Sequence, residues 1–429
     1  MGCAGESMEA VSKQANLFKY CLIALLFCLI VISRRPDVVT YPQFYAEDGA
    51  HWYSEAYQAD HFWEPFLVPI QKYYQTVSRV GGLAGNLVDI RYAPLVFNLF
   101  AILIQISPAL FFLSSRFDGL VPGFSRRLLW GLIYLMLPGT GETHANLTNA
   151  MWRLTLLMLL VIIAPAGKKA GWKIFDCLVL LLAGLSGPFV FIAFPLAVLF
   201  HLCRKSLAEA SLKLGILAVT FLIQLHSFLF IVVQHAQRSD QSLGVSSGRL
   251  LKIIAGDVFV RGILGVHTLT KIMSLGIWHG GLLPLMITLA GAGMLGYVLW
   301  NARLELKLLI VFSFLILAAG LASPQVSLTI PQWKAMAEGS GERYYFFPIL
   351  AWVISLGWIL RNARLKSFKC VAVVFLLAML MIGIPKSWVF ASYKNHDFAR
   401  QVQEFKKTGP GEVYKFRIAP EWVMPLVRK

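Results

Sequence analysis

Three clusters of polar residues in this 429-residue chain have side chains that could carry out chemistry. The first is Glu47-Asp48, within the aromatic and acidic stretch 41–65. Neighbouring carboxyl groups can raise the pKa of one of the pair toward neutrality, which suits a general base. The alternative is that both acids cap a helix and complement its dipole.

Residues 47–63, placed on a helix at about 100° per residue, separate into an aromatic face and a polar face. Trp52, Tyr53 and Trp63 fall on the first face, and Glu47, Asp48 and His51 fall on the second. Trp and Tyr on the apolar side of such a helix favour the membrane–water interface. We therefore expect an amphipathic outer-face helix here, with His51 among the substrate-binding residues.

The second cluster lies in the sequence GTGETHANLTNAMWRL, residues 139–154. Its candidate substrate-binding residues are Glu142, His144, Asn149, Trp152 and Arg153. Polar and aromatic side chains gathered beside a membrane would suit a sugar-binding rim, whereas the alternative is an ordinary loop in which Asn149 caps the next helix. Glu142, His144 and Glu47 could be assembled into a metal site, but their spacing predicts no particular metal.

The third cluster is Arg343-Tyr344-Tyr345, at the start of a late apolar segment. Arg binds phosphate through two parallel hydrogen bonds, so Arg343 is a candidate for holding the phosphate of a lipid carrier. The alternative is an Arg that reaches the membrane interface among the aromatic residues found there.

The elements that must position these clusters are apolar helices. Hydrophobic residues make up 57% of the chain and charged residues 14%, whereas about a quarter is charged in soluble proteins. Counting runs of about 20 apolar residues predicts an all-α, polytopic transmembrane bundle of about 11 spans, within a range of about 9–13. The predicted segments are 16–33, 92–114, 128–138, 150–166, 174–203 (two spans, split by Ser186-Gly187-Pro188), 214–234, 281–300, 308–322, 344–360 and 370–384.

Basic residues predict the orientation of the bundle. The short loops 116–127, 166–173, 204–213, 301–307 and 361–369 are rich in Lys and Arg, whereas the long loop 34–91 is rich in acids. Since Lys and Arg concentrate in cytoplasmic loops, we expect a cytoplasmic N-terminus, a membrane domain over 1–386 and a short outer-face tail over 387–429. The net charge of +17 is then explained by orientation and contact with anionic lipids, and nucleic acid is not an expected partner.

Several of these motifs together resemble the GT-C superfamily of polytopic membrane glycosyltransferases, and most closely its uncharacterised bacterial branches with a Glu-Asp-Gly motif in the first outer loop. The matching residues are Glu47-Asp48-Gly49, Glu142 with Asn149 and Trp152, Arg343-Tyr344-Tyr345, and the tail 416–426. The chain departs from relatives that carry a large soluble C-terminal domain, and it lacks the Asp-Asp pair of some branches.

The resemblance implies a hexosyl- or pentosyltransferase in the bacterial inner membrane, active on the periplasmic face in polysaccharide biosynthesis. A polyprenyl-phosphate sugar would be the donor, and a glycan, lipid or protein the acceptor. By position, Asp48 would be the catalytic base, Glu47 would orient it or bind the acceptor, and Arg343 would hold the donor phosphate. A divalent cation is left open as a cofactor.

Two other classes of function stay open. A flippase or other transporter of lipid-linked saccharide would explain the split segment at Ser186-Gly187-Pro188, because broken helices mark transporter sites. Against it, ionisable residues concentrate in the outer loops, whereas a translocation path would place them inside spans. A membrane scaffold without catalysis is the third class, and the polar clusters argue against it.

Overall fold

The computed structural model describes residues 2–231 and 239–429, with side chains from residue 17 onward. The described chain is mostly helical, at 67%, and adds one antiparallel pair of strands near its C-terminus. The end of the predicted segment 214–234 and the start of the loop after it lie outside the described residues.

Helices follow one another along almost the whole chain. Up to the first gap they are Gly2–Arg34 (α1), Asp37–Thr40 (α2), Ser54–Gln58 (α3), Glu64–Leu67 (α4), Thr76–Asn86 (α5), Ala93–Phe112 (α6), Phe124–Met136 (α7), Ala150–Ile163 (α8), Ala170–Gly184 (α9), Val190–Cys203 (α10) and Ser211–Phe230 (α11). After it they are Ser247–Lys252 (α12), Arg261–Met273 (α13), Gly276–His279 (α14), Leu282–Asn301 (α15), Leu304–Ala322 (α16), Gln332–Ala337 (α17), Phe346–Asn362 (α18), Lys366–Ala378 (α19), Ile384–Lys386 (α20) and Phe398–Phe405 (α21). Asp48–Tyr53, Ile253–Val260 and Met379–Gly383 are π-helical, and Ser115–Phe117 and Glu342–Tyr345 are 3-10 turns.

Seven helical stretches of the described chain are long and apolar enough to cross a membrane, as in a multi-pass membrane protein. They are Leu17–Arg34, Ala93–Phe112, Ser211–Phe230, Leu282–Asn301, Leu304–Ala322, Glu342–Asn362 and Lys366–Lys386. The other four predicted spans correspond to α7, α8, α9 and α10, which have 13, 14, 15 and 14 residues. At 1.5 Å per residue these helices are about 20–23 Å long, shorter than a hydrocarbon core of about 30 Å.

The segment after the Glu-Asp-Gly motif differs from the predicted amphipathic surface helix. Its helix ends at Gln58, and Trp52 and Tyr53 are only 2% and 1% exposed. These aromatic side chains therefore pack inside the protein, and the prediction that they face the membrane surface is wrong. Helix α5 approaches so closely that a Cβ on Gly82 would lie 2.3 Å from the Trp52 carbonyl oxygen.

The tail folds onto this motif segment. Strands Val413–Ile418 (β1) and Trp422–Val427 (β2) form an antiparallel hairpin in which Phe416 pairs with Met424. Its inner side chains Phe416, Ile418, Met424 and Leu426 are fully buried. The Ala46 amide donates to the Ala419 carbonyl oxygen at 2.6 Å. The expectation of an all-α chain is therefore wrong here, because alternating inward side chains find an apolar partner surface on the motif segment.

Candidate active site

Asp48 connects the first loop to the loop before α8. One of its carboxyl oxygens accepts the Leu147 amide at 3.2 Å, and the other accepts the Thr148 hydroxyl at 2.9 Å. The Trp52 indole donates to the same Thr148 oxygen at 3.2 Å. Asp48 is 0% exposed, and neither it nor Glu47 caps the helix that follows. The alternative of a simple helix cap is therefore wrong.

Burial sets the protonation of Asp48. Loss of solvation raises its pKa from 3.8 to about 8, and the charge of Glu47 contributes in the same direction, although the hydrogen bonds from Thr148 and Leu147 oppose the shift. The Asp48 carboxyl group is therefore largely protonated near pH 7. A protonated, inaccessible carboxyl group cannot accept a proton from a substrate.

We expect Asp48→Asn to change how stability depends on pH. Because the folded pKa of about 8 exceeds the unfolded value of about 3.9, the stabilisation from Asp48 is complete below about pH 4 and is lost as pH rises toward 8. The neutral amide removes this loss, so the variant should match the wild type near pH 4 and unfold at a higher temperature near pH 8. Thermal unfolding in detergent between these pH values measures the effect.

The exposed acid Asp60 provides the control, since its backbone amide donates to Glu64 and its carboxylate makes no hydrogen bond to a described residue. Asp60→Asn should leave the pH profile unchanged. An Asp48→Asn profile parallel to the wild-type profile would contradict the raised pKa.

Glu47 is more accessible than Asp48 and is held by fewer contacts. Its side chain is half-buried, and it forms no hydrogen bond or ion pair with any described residue. The neighbouring Tyr45 phenol has a pKa raised first by burial and then by Tyr393 and Glu142, with Arg343 opposing and Glu47 adding to the rise. Glu47 therefore shares the surroundings of Tyr45 with the other two predicted clusters.

Glu142 and Arg343, which are 201 residues apart, form a direct pair. Both Glu142 carboxylate oxygens are engaged, one by the Arg343 guanidinium and the other by the Arg343 amide at 3.0 Å. The second guanidinium nitrogen donates to the Gln325 carbonyl oxygen at 2.5 Å. The pair is partly accessible, since 19% of the Glu142 side chain and 23% of the Arg343 side chain are exposed.

A second arginine extends this charge network and was not among the residues predicted from sequence. Arg261 lies 2.7 Å from the Asp257 carboxylate and 3.0 Å from the Glu342 carboxylate. Glu342 in turn accepts the Glu142 amide at 3.1 Å. The i,i+4 spacing of Asp257 and Arg261 was the available signal, because oppositely charged residues so spaced meet on one helical face.

The other predicted residues of the second cluster hold the loop itself. His144 is fully buried, with one ring nitrogen 3.0 Å from the Gln105 amide nitrogen and the other 2.9 Å from the Val31 carbonyl oxygen. Burial, together with the charges of Arg34 and Arg35, keeps its pKa well below the ordinary range. A neutral imidazole with both nitrogens engaged positions the loop and leaves neither nitrogen for a ligand.

Asn149 also belongs to the loop. Its side-chain amide donates to the Glu142 carbonyl oxygen at 3.0 Å, and it makes no side-chain cap on α8. The suggestion that Asn149 caps the following helix is therefore wrong. The residue instead fixes the backbone that carries Glu142.

Trp152 and Arg153 lie deeper in the bundle. The Trp152 ring packs 4.7 Å from Phe189 and 6.0 Å from Tyr344, measured between ring centroids. The Arg153 guanidinium donates to Thr143 at 3.1 Å and lies 4.1 Å from the centre of the Phe346 ring. Both side chains are buried. Arg153 therefore holds the loop through Thr143, and Trp152 packs against Tyr344.

The remaining predicted residues fall at the edges of the site. The centre of the Tyr344 ring lies 4.8 Å from the carbon of the Arg343 guanidinium. Tyr345 is buried, and its hydroxyl donates to the Ser340 carbonyl oxygen at 3.3 Å. The His51 ring lies 3.3 Å from Glu55, which pairs with Arg79 at 2.5 Å. The structure thus brings Glu142, Arg343 and Tyr344 into contact, whereas Glu47 is linked to them through its shared electrostatic effect on Tyr45. His51 lies in a separate network.

Arg34 joins α1 to two other segments of the chain through hydrogen bonds to their carbonyl groups. It is 1% exposed and donates to the carbonyl oxygens of Leu135 at 2.7 Å, Leu137 at 3.1 Å and Ser387 at 3.2 Å. Unpaired carbonyl groups at helix ends need such donors. The signal in the sequence was the presence of Arg34-Arg35 at the end of a span where the orientation rule disfavours basic residues.

No group of three or more His, Cys, Asp or Glu residues that could hold a metal ion occurs within residues 2–231 and 239–429. No protein-family model matches the chain, and no curated protein matches it significantly. The function must therefore be argued from the site itself.

Proposed function

We propose that the protein is a GT-C-type glycosyltransferase that moves a sugar from a polyprenyl-phosphate donor to an acceptor on the outer face of the membrane. The observation that carries the proposal is that the half-buried Glu47, which has no hydrogen bond or ion pair within the described residues, acts on the same Tyr45 phenol as the Glu142–Arg343 pair. This combination offers a proton acceptor and a cation for phosphate at the ends of apolar helices.

The proposed reaction is a single inverting displacement. The acceptor hydroxyl oxygen attacks the anomeric carbon, the bond from that carbon to the phosphate oxygen breaks, and phosphate leaves with the electron pair. Glu47 takes the hydroxyl proton as general base. Arg343 stabilises the charge on the departing phosphate, which competes with Glu142 for the guanidinium.

The family resemblance implies Asp48 as the catalytic base and Glu47 as the residue that orients it or binds the acceptor. We propose the reverse. Asp48 is buried and held by Leu147 and Thr148, so we propose that it positions the loops. Its largely neutral carboxyl group also limits negative charge next to Glu47. Glu47, which is half-buried, is the acid of the pair that can reach a bound acceptor.

The grouping of helix ends supports the proposed orientation. The C-terminal end of α1 meets that of α7 near the site, through Arg34 and Leu135. At the opposite ends, basic residues between helices pair with acids of neighbouring helices, as Arg116 does with Asp176 of α9 at 2.6 Å and Arg204 with Glu305 of α16 at 2.6 Å. If about 11 helices cross the membrane, this grouping supports a basic cytoplasmic face and an outer face bearing Glu47.

A transporter is the competing function. Its main support is the break between α9 and α10, but the Gln224 amide reaches the carbonyl oxygens of Gly184 at 3.2 Å and Gly187 at 3.3 Å across that break. These backbone groups are therefore already satisfied within the protein, which weighs against a substrate-coordinating break.

An assay of sugar transfer by the detergent-solubilised protein distinguishes a glycosyltransferase from a transporter. We expect the purified protein to pass labelled sugar from polyprenyl-phosphate sugars to one of a panel of glycan, lipid or protein acceptors without any vesicle, because transfer needs no compartment. Chromatography of the labelled products measures it. Saccharide movement across reconstituted vesicles with no transfer in detergent would contradict the glycosyltransferase proposal.

A further inference from the structure

A cavity of about 730 Å³ lies between α6, α7, α8, α16 and α18. It plays no part in the proposed reaction, although its inner end reaches Tyr134, whose ring lies 5.3 Å from the Arg153 guanidinium. Its walls are mainly apolar, with Leu129, Leu156, Leu309 and Val353 among the lining residues. Cavities of about 300–1,000 Å³ with apolar walls and few polar groups are typical of ligand sites.

The cavity has a charged mouth at one end only. Arg126, Arg303 and Arg361 are exposed there, while Tyr134 and Val353 at the far end are buried. Between residues 126 and 134 of α7 a helix rises about 12 Å, and between residues 350 and 362 of α18 about 18 Å. These lengths are close to half of a hydrocarbon core of about 30 Å, the thickness of one leaflet.

The positive charge at the mouth is not neutralised by the protein. Glu305 is the one acid among the described residues that line the cavity, and its carboxylate pairs with Arg204 at 2.6 Å. Arg303 donates to the Gly119 carbonyl oxygen at 2.8 Å. Arg126 and Arg361 form no ion pair with any residue in the described ranges.

We propose that this cavity binds one anionic glycerophospholipid from the leaflet on the basic face, with its phosphate at Arg126 and Arg361 and an acyl chain extending toward Tyr134. A cationic rim complements an anionic head group, and basic pockets between membrane helices bind such head groups. A depth of one leaflet matches an acyl chain, whereas a polyprenyl chain is much longer. The site does not depend on the glycosyltransferase proposal.

Native mass spectrometry of the full-length protein in detergent tests the assignment. We expect one palmitoyl-oleoyl-phosphatidylglycerol to be retained with at least about tenfold higher affinity than the matching phosphatidylcholine. Replacing Arg126→Gln and Arg361→Gln together should lower phosphatidylglycerol affinity about tenfold or more. Arg364→Gln removes an exposed charge that does not line the cavity, so it should leave the affinity unchanged.

A second pair of variants separates cavity binding from surface attraction. Leu309→Trp fills the cavity and should prevent retention of the lipid, whereas Leu315→Trp on the exposed side of the same helix should not. Equal retention of both lipids, or unchanged binding by the double arginine variant, would overturn the proposal. Displacement of phosphatidylglycerol by an equimolar polyprenyl phosphate would show that the assigned occupant is wrong.

Discussion

Glu47→Gln should lower sugar transfer by about 10²–10⁴-fold, the usual contribution of a positioned general base. The amide keeps the shape of the side chain but cannot accept the proton of the acceptor hydroxyl. Since Glu47 has no hydrogen-bonding partner within the described chain, the variant should unfold at the same temperature as the wild type. Initial transfer rates at saturating donor and acceptor measure the loss.

Asp48→Asn is the matched control for this result. Because the Asp48 carboxyl group is largely neutral near pH 7, its amide should preserve most of the transfer activity. The family resemblance implies the reverse outcome, with Asp48 as the base. Full activity in Glu47→Gln combined with loss of activity in a folded Asp48→Asn would show that Asp48 is the base.

Arg261→Met should destabilise the protein by about 3–5 kcal/mol, which is typical when one partner of a buried ion pair is removed. The Arg261 side chain is 1% exposed, and its charge opposes the burial that raises the pKa of Asp257 to about 7. Its loss leaves the Asp257 carboxyl group, which is 2% exposed, without a counter-charge. It also releases Glu342, whose carboxylate accepts the amide of Glu142. Unfolding in a graded denaturing detergent measures the change in free energy.

Arg400 and Glu404 provide a matched i,i+4 pair on the protein surface, with side chains 73% and 46% exposed. Arg400→Met should leave the free energy of unfolding nearly unchanged, since exposed pairs contribute little. Adding Asp257→Asn to Arg261→Met should recover part of the lost stability, because the uncompensated charge is then removed. Equal effects of Arg261→Met and Arg400→Met would contradict the buried network.

Patterns local in sequence predicted much of this protein. Helical periodicity and apolar length locate a helix at each predicted membrane segment, because the bilayer requires long apolar stretches. The polar clusters around Glu47, Glu142 and Arg343 were also visible as departures from that apolar background. The same patterns misplaced several helix ends in both directions, as with predicted 150–166 against Ala150–Ile163 and predicted 308–322 against Leu304–Ala322. An apolar run does not show where Gly, Pro or a polar turn ends the helix.

Contacts between distant residues decided the rest. Asp48 can be buried because Leu147 and Thr148, about 100 residues later, supply its hydrogen bonds. Glu47 beside it has no hydrogen-bond or ion-pair partner in the part of the chain that the structure describes. The tail likewise forms a hairpin because its apolar side chains pack near Phe44 and Gly49. By itself the sequence determined an apolar helical bundle with acidic and basic clusters at its ends. Only the tertiary structure decided which acid is accessible, because solvation and hydrogen bonding depend on neighbours that no local pattern contains.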